Sequence, residues 1–424
     1  MTPGETAVTP GSPLRSAVVA VGDELLLGDI VNGNAAWLGA QLAAVGAPVV
    51  HSAMVGDQVG RIAVALRRAL QDADVVLVTG GLGPTIDDLT REAVSAVAGV
   101  PLVRQGWIED ELRAKFAAYG FSMPDPVLKQ ADVPAGAIPL DNPVGTAPGL
   151  RLEIGTKLLY ALPGPPHELA AVFRGSVQDE LRGRSGGVGL TRTLHCAGMG
   201  ESQVAEIVER TIVVPPGVDL AYLAGGAVVR VRLTTVAPTE QVADAVLAPL
   251  LSALAEALGD TVFGRDQDDL PTVVLRRLRA SGATVAVAES LTAGLVGAAL
   301  TEPPGSSDAF RGGVQVYATD LKASLAGVSE AVLAEHGAVS PQTAAALAEG
   351  VRARLGATYG VALTGVAGPD EQEGHPPGTL HLAVSGPEGT VTRSVRLPGD
   401  RSRVRLLAVT AALDLLRRQL PAAT

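Results

Sequence analysis

The feature that most limits the fold is a recurring transition, in which a short apolar run breaks off into glycine, hydroxyl or acidic residues. Ser16–Val21 ends in Gly22-Asp23-Glu24, and Asp74–Thr79 runs into Gly80-Gly81-Leu82-Gly83. Thr284–Ala288 stops at Glu289-Ser290, and Tyr359–Leu363 enters Thr364-Gly365. Helical spacing resumes soon after, at Ala35–Leu42, Leu89 onward and Leu295–Leu300. Apolar runs without polar alternation are strands covered on both faces, and their alternation with helices implies parallel sheets flanked by helices. An α/β protein is expected, with ligand sites beyond the carboxyl ends of the strands.

At 424 residues the chain exceeds the roughly 250 that one core supports, so two or three domains are expected. Aromatic residues make up only 3%, so the cores must be built from Ala, Val and Leu. A net charge of -11 weighs against a general nucleic-acid-binding surface. No apolar run approaches the ~20 residues needed to cross a bilayer. Residues 1–13 (MTPGETAVTPGSP) read as a flexible tail without signal-peptide character. The single cysteine, Cys196, excludes an internal disulfide and a cysteine zinc site. A soluble cytoplasmic protein is expected.

In the first half the strongest chemical signal is Gly80–Thr90. Gly80, Gly81 and Gly83 let backbone N–H groups approach a phosphate, and Thr85 and Thr90 add hydroxyls. Asp87 and Asp88 supply hard oxygen ligands suited to a divalent cation bridging phosphates. A glycine turn before an acidic helix start would look similar. Asp23-Glu24, ending another strand of the same sheet, favours the ligand-binding reading.

GRSGGVG at Gly183–Gly189 reads as a linker. Residues 190–264 have the pattern of a small α+β unit. It lacks a GXXG loop between basic helices and an aromatic platform, so RNA binding is not expected there. His195 and Cys196 are adjacent on a strand and point to opposite faces, so they cannot pair, and Cys196 reads as a buried, inert thiol.

In the last third, Ser290 stands where a strand gives way to a helix. Ser290 or Thr292 could cap that helix, or the site could stabilise negative charge on a substrate oxygen. Three apolar strands end in Ser290, in Tyr317 with Lys322 shortly after, and in Thr364, and a parallel arrangement would bring these ends to one cleft. A serine nucleophile needs a base, and a lysine with a lowered pKa can supply one. His336, His375 and His381 are poorly placed for that role. Alone, Lys322 would read as a solvated surface lysine; its company raises it.

GDELLLG at Gly22–Gly28, GGLGPTIDDLT at Gly80–Thr90, NPVGTAPG at Asn142–Gly149 and LPGPPHE at Leu162–Glu168 resemble the amino-terminal domain of the CinA (competence/damage-inducible) family. That domain is similar to molybdopterin-binding domains, and the resemblance implies a metal-dependent ADP-ribose pyrophosphatase. Asp87 and Asp88 would then hold a divalent cation of the cobalt or magnesium class. Asp23, Glu24, Asn34, Gly80, Gly81, Gly83, Thr85, Thr90 and Gly164 would contact substrate, with Asn142, Gly145 and Thr146 as a second loop of the same cleft. Asn32-Gly33-Asn34 departs from the family's usual Asp-Thr-Asn. The middle unit is similar to the family's KH-like domain.

AESLTAG, YATDLK, ALTGVAGP and PPGTLHLAV resemble the family's carboxy-terminal domain, a nicotinamide mononucleotide (NMN) amidohydrolase. The resemblance makes Ser290 the nucleophile and Lys322 its activating partner, with Tyr317 and Thr364 completing the polar network. Thr292 and Gly294 would line the turn, and Gly365, Gly368, Pro369 and Arg401 would hold phosphate or ribose. Ser290 Oγ would attack the carboxamide as Lys322 takes its proton, N–H groups at the following helix start would hold the oxyanion, and no cofactor is required. Ala293, Ala318 and Glu371-Gln372 depart from the usual motifs without removing a catalytic side chain.

The expected organisation is a doubly wound molybdopterin-binding-like domain at 14–183, a KH-like domain at 190–264 and an α/β deamidase domain at 268–424. The expected partners are NMN, ADP-ribose and a second copy of the chain, with no membrane and no direct nucleic-acid contact. Two other readings stand: a first domain that binds a nucleotide or molybdopterin without catalysis, and an adaptor in DNA uptake or repair.

Overall fold

The computed structural model describes residues 14–118 and 120–421; the tail expected at 1–13 lies outside the described residues. Contacts divide the chain into two compact units. One holds the residues up to Thr191 with Thr235–Val246, the other Arg192–Thr234 with Leu247 onward, so the division runs through the middle segment.

The first unit is built on a six-stranded sheet in the order Val49–Val55, Ser16–Val21, Val75–Thr79, Lys157–Leu162, Gly149–Ile154, Ile138–Leu140. The first four strands run parallel and the last two antiparallel, so the sheet is mixed. Period-two alternation with both faces covered explains why Ala17–Val21 is apolar throughout. Ala17, Val19 and Val21 enter one core while Val18 enters a second. Ser16–Val21 lies between the two parallel strands that follow it in the chain, which makes its carboxyl end a topological switch point.

The expected linker is not slack. Gln178–Ser185 is helical, Gly186 ends it in the left-handed region (φ 64), and Val188–Ala197 is already a strand. A Cβ on Gly189 would strike the Ala43 carbonyl, so glycine here permits close backbone packing rather than flexibility.

Val188–Ala197 belongs to a four-stranded sheet with Val218–Gly225, Val228–Ala237 and Val262–Arg265. The helix Glu240–Leu258 is long and apolar enough, by length and composition, to cross a membrane. Its buried positions Ala243, Leu247, Leu251, Leu254 and Leu258 recur at three and four residues, the stripe of a helix packed on one face.

The last sheet runs Phe310–Gln315, Val285–Glu289, Tyr359–Gly365, Thr379–Gly386, Gly389–Arg396. The first three strands are parallel, and the last two form an antiparallel hairpin. Val285 and Val287 face one core, Ala286 and Ala288 the other. Val285–Glu289 again has its sequence successors on both sides, which sets a second switch point just beyond Glu289.

Candidate active site

Beyond Glu289 lies a cleft of about 270 Å³ lined by Ser290, Tyr317, Lys322, Thr364, Gly365, Gly368, Pro369 and Arg401. Lys322, on the helix Thr319–Ser324, is 2% exposed. Its Nζ donates to the Val316 carbonyl at 2.7 Å and lies 3.4 Å from Ser290 Oγ. Burial pushes the ammonium below the usual lysine value, against the opposing charge of Glu373. The Thr364 hydroxyl is buried and donates to the Ala338 carbonyl at 2.6 Å. Tyr317 is exposed at the rim and accepts from Arg401 at 2.9 Å, while a second Arg401 nitrogen donates to the Gly368 carbonyl at 2.8 Å.

Two expectations fail at the turn after Ser290. The helix Leu295–Thr301 starts where expected but does not offer free N–H groups: the Glu289 carboxylate accepts from Gly294, Val296 and Gly297 at 2.9, 3.0 and 2.8 Å. Glu289 is therefore the helix cap, not Ser290 or Thr292, and this helix start cannot hold the oxyanion. Thr292 and Gly294 also lie outside the cleft lining. Thr292 is fully buried with its hydroxyl unpartnered, and the Gly294 amide is spent on Glu289.

The residues that sequence reasoning missed here are Glu289 and Glu373. Glu373 accepts from the Ala338 and Val339 amides at 2.8 and 3.1 Å and so ties the glycine loop to the cleft wall. Glu289 carried a signal, since a carboxylate that ends an apolar strand and is itself buried must find several donors.

In the first unit a cleft of about 480 Å³ opens at the other switch point. Glu24, Asn34, Gly80, Gly81, Thr85, Asp87, Asp88 and Gly164 line it. Asp57, unforeseen, lines it too, although Gly56-Asp57 ends its strand just as Gly22-Asp23 ends the neighbouring one. Asp23 stays exposed and outside the lining, exchanging bonds with the neighbouring strand end: its carboxylate accepts from the Asp57 amide at 3.3 Å, and its own amide donates to Asp57 at 2.8 Å. Burial raises the Asp57 carboxyl above its ordinary value, reinforced by the charges of Asp23, Glu24 and Asp87. The Asn34 amide donates to the Gly164 carbonyl and the Thr79 hydroxyl at 2.7 and 3.2 Å.

Asp87 is exposed, and the Thr85 hydroxyl holds its carboxyl below the usual range. Asp88 instead shapes the loop, accepting from the Gly83 and Thr85 amides at 2.8 and 2.7 Å. Gly83 and Thr90 lie outside the lining: Thr90 is buried, its hydroxyl donating to the Gly80 carbonyl at 2.7 Å. Asn142 and Thr146 line a separate hollow of about 140 Å³, so the expected second loop is not part of this cleft. The Asn142 amide is committed to Glu168 and Ala147, and the Gly145 carbonyl to Lys115. Among the described residues no group of three or more His, Cys, Asp or Glu is placed to hold a metal ion.

Cys196 is fully buried, and burial raises its thiol to about 11, as expected of an inert cysteine.

Comparison with known proteins gives three consecutive matches. Residues 17–183 match the model described as "Probable molybdopterin binding domain", 191–264 the "Damage-inducible protein CinA KH domain" and 267–420 the "CinA C-terminal domain". The CinA-like protein of Frankia casuarinae is 53% identical, covering 96% of both chains. The CinA-like protein of Nostoc is 40% identical, covering 96% of this chain and 99% of its own. That of Gloeobacter violaceus is 42% identical, covering 95% and 96%. With three consecutive domain matches and relatives similar along nearly their whole length, the chain belongs to the CinA family.

Proposed function

We propose that the second unit deamidates NMN to nicotinic acid mononucleotide and ammonia. One observation carries the reading: the buried Lys322 amine stands 3.4 Å from Ser290 Oγ at a parallel-sheet switch point. Desolvation favours the neutral amine, which can take the serine proton as Oγ bonds to the carboxamide carbon. The resulting ammonium can protonate the leaving nitrogen, so that ammonia departs and water hydrolyses the acyl-serine. The Val316 carbonyl orients the amine through the step. Arg401, tied to both Tyr317 and the Gly368 loop, supplies the positive charge that suits a phosphate. With Lys322 as base, no step requires a metal.

For the first unit we propose hydrolysis of ADP-ribose at its diphosphate. Carboxylates of Glu24, Asp57 and Asp87 share one cleft with the Gly80–Gly81 backbone. Hard oxygens of this kind are what a cation of the cobalt or magnesium class takes, but the three are not placed as a ligand set among the described residues, so substrate phosphates would have to supply the rest of its ligands. Such a cation would neutralise bridging oxygens, while the glycine loop binds phosphate and a carboxylate orients water. The commitment of Asp88 to its own loop favours a second reading, a nucleotide- or pterin-binding module without catalysis.

Purified protein is assayed for ammonia from NMN and for AMP from ADP-ribose, with and without divalent metal. Ammonia release should persist in chelator and fall by several orders of magnitude in Ser290→Ala. Full deamidation by that variant excludes the serine mechanism, and absence of AMP under every metal condition selects the binding module.

A further inference from the structure

The turn after the serine can be accounted for donor by donor. The Ser290 amide donates to the Leu363 carbonyl, Ala293 to Ser290 and Leu295 to Thr292. Gly294, Val296 and Gly297 donate to the Glu289 carboxylate. Only the amides of Leu291 and Thr292 donate to nothing among the described residues, although these residues are 3% and 0% exposed. Buried backbone donors without acceptors are rare and demand an explanation. The Thr292 hydroxyl, buried beside them, is also unpartnered.

Their direction has an identifiable cause. Arg405, on the helix Arg401–Gln419, donates from Nε to the Leu291 carbonyl at 3.0 Å and from a terminal nitrogen to the Thr292 carbonyl at 2.9 Å. In a planar trans peptide the C=O and the following N–H point opposite ways. Drawing the Leu291 carbonyl toward Arg405 therefore turns the Thr292 N–H away from it. The Ser290 carbonyl, held by the Ala293 amide, likewise directs the Leu291 N–H away from that bond. Ala293 sits at φ 50, a strained value for a residue with a Cβ, so the turn is held by its surroundings.

We infer that Arg405 is a positioning residue: by holding the Leu291 and Thr292 carbonyls, its guanidinium fixes the turn that presents the Leu291 amide, at the cleft wall, as an oxyanion donor of the Ser290 reaction. This rests on the amidohydrolase reading above. As Ser290 Oγ bonds to the carboxamide carbon, the C=O π electrons move onto oxygen. The Leu291 amide stabilises that charge until the C=O bond re-forms and the C–N bond breaks, releasing ammonia. A planar two-nitrogen fork suits two adjacent carbonyls, a geometry that lysine cannot reproduce.

The test compares the full-length wild type with Arg405→Ala, Arg405→Lys and Ser290→Ala. Arg405→Ala should lose about 100-fold or more in kcat for ammonia release from NMN while KM moves less than about threefold. Added guanidinium should restore about tenfold of that kcat, and Arg405→Lys should not regain wild-type rates. An arylboronic acid, which forms a tetrahedral adduct on a reactive serine, gives a readout independent of NMN. Its affinity should vanish in Ser290→Ala and fall about 30-fold or more in Arg405→Ala.

Boronate binding that ignores Arg405, or a kcat within about threefold of wild type in Arg405→Ala, overturns the inference while leaving the deamidase reading intact. Loss of kcat that guanidinium does not restore, in step with a lowered melting temperature, also overturns it. Boronate affinity that depends on Ser290 and Arg405 in a protein releasing no ammonia from NMN overturns the substrate reading and upholds the inference.

Discussion

A lysine that acts as a base must part with its proton at a pH where most lysines keep it. Lys322 is prepared for that by burial, which outweighs the charge of Glu373; among the described residues its hydrogen-bond partners are a carbonyl and a hydroxyl. Lys322→Met should therefore lower kcat by about two to four orders of magnitude. The wild-type kcat/KM profile should rise with pH along a limb that begins below the ordinary lysine value. Stability should show the same depression. At low pH the folded and unfolded chains both carry the proton, and the folded chain bears a buried charge. As pH rises past the lowered folded-state value, the unfolded chain binds the extra proton, so stability climbs until the ordinary lysine value is reached. Denaturant midpoints measured from pH 6 upward should rise in the wild type relative to Lys322→Met; parallel curves would show that Lys322 titrates normally.

At the scale of elements, the segment that presents Ser290 depends on the strand before it and the helix after it, joined through Glu289. Glu289→Gln keeps the size but replaces one acceptor oxygen by an NH₂ group facing backbone donors. It should cost about 1–3 kcal/mol in denaturant unfolding and lower kcat together with stability, in contrast to Arg405→Ala. An unchanged midpoint would remove Glu289 from its capping role. Much of this layout was legible beforehand. The apolar runs at Ser16–Val21, Val285–Glu289 and Tyr359–Gly365 are strands, and Ser340 caps the helix Pro341–Arg354 as its Ser-Pro sequence implies. What escaped is where polar side chains turn once they leave a strand. The pattern marks Asp23, Asp88, Thr90 and Thr292 as polar residues at strand ends or in loops. Whether each faces ligand or its own backbone depends on unpaired amides and carbonyls nearby, which residue spacing does not encode. The Asn142–Thr146 loop escaped for a related reason, since its place is set by long-range contacts of Asn142 with Glu168 and of its carbonyls with Lys115.

At the scale of the whole molecule, the helix Arg401–Gln419 links the cleft to the base of the second unit. Its first residues supply Arg401 and Arg405; near its end Asp414 and Arg417 form a buried ion pair that Arg418 joins from the surface. Asp414 accepts from Arg417 at 2.7 and 2.9 Å and from Arg418 at 2.9 Å, and Arg417 also donates to the Asp260 carbonyl at 2.5 Å. The side chains of Arg417 and Asp414 are 3% and 2% exposed, so removing the carboxylate strands a guanidinium away from water. Breaking a buried pair in this way costs about 3–5 kcal/mol, against about 0–1 for an exposed pair such as Arg182 with Asp179. The chain carries an internal control, because its two tryptophans, Trp37 and Trp107, both lie in the first unit. Since each unit has its own core, Asp414→Ala should lower the urea midpoint read by ammonia release and far-ultraviolet circular dichroism, while the tryptophan midpoint stays in place. A tryptophan transition that shifts by the same amount would show that the two units unfold as one, and that the helix secures the whole chain rather than its own cleft.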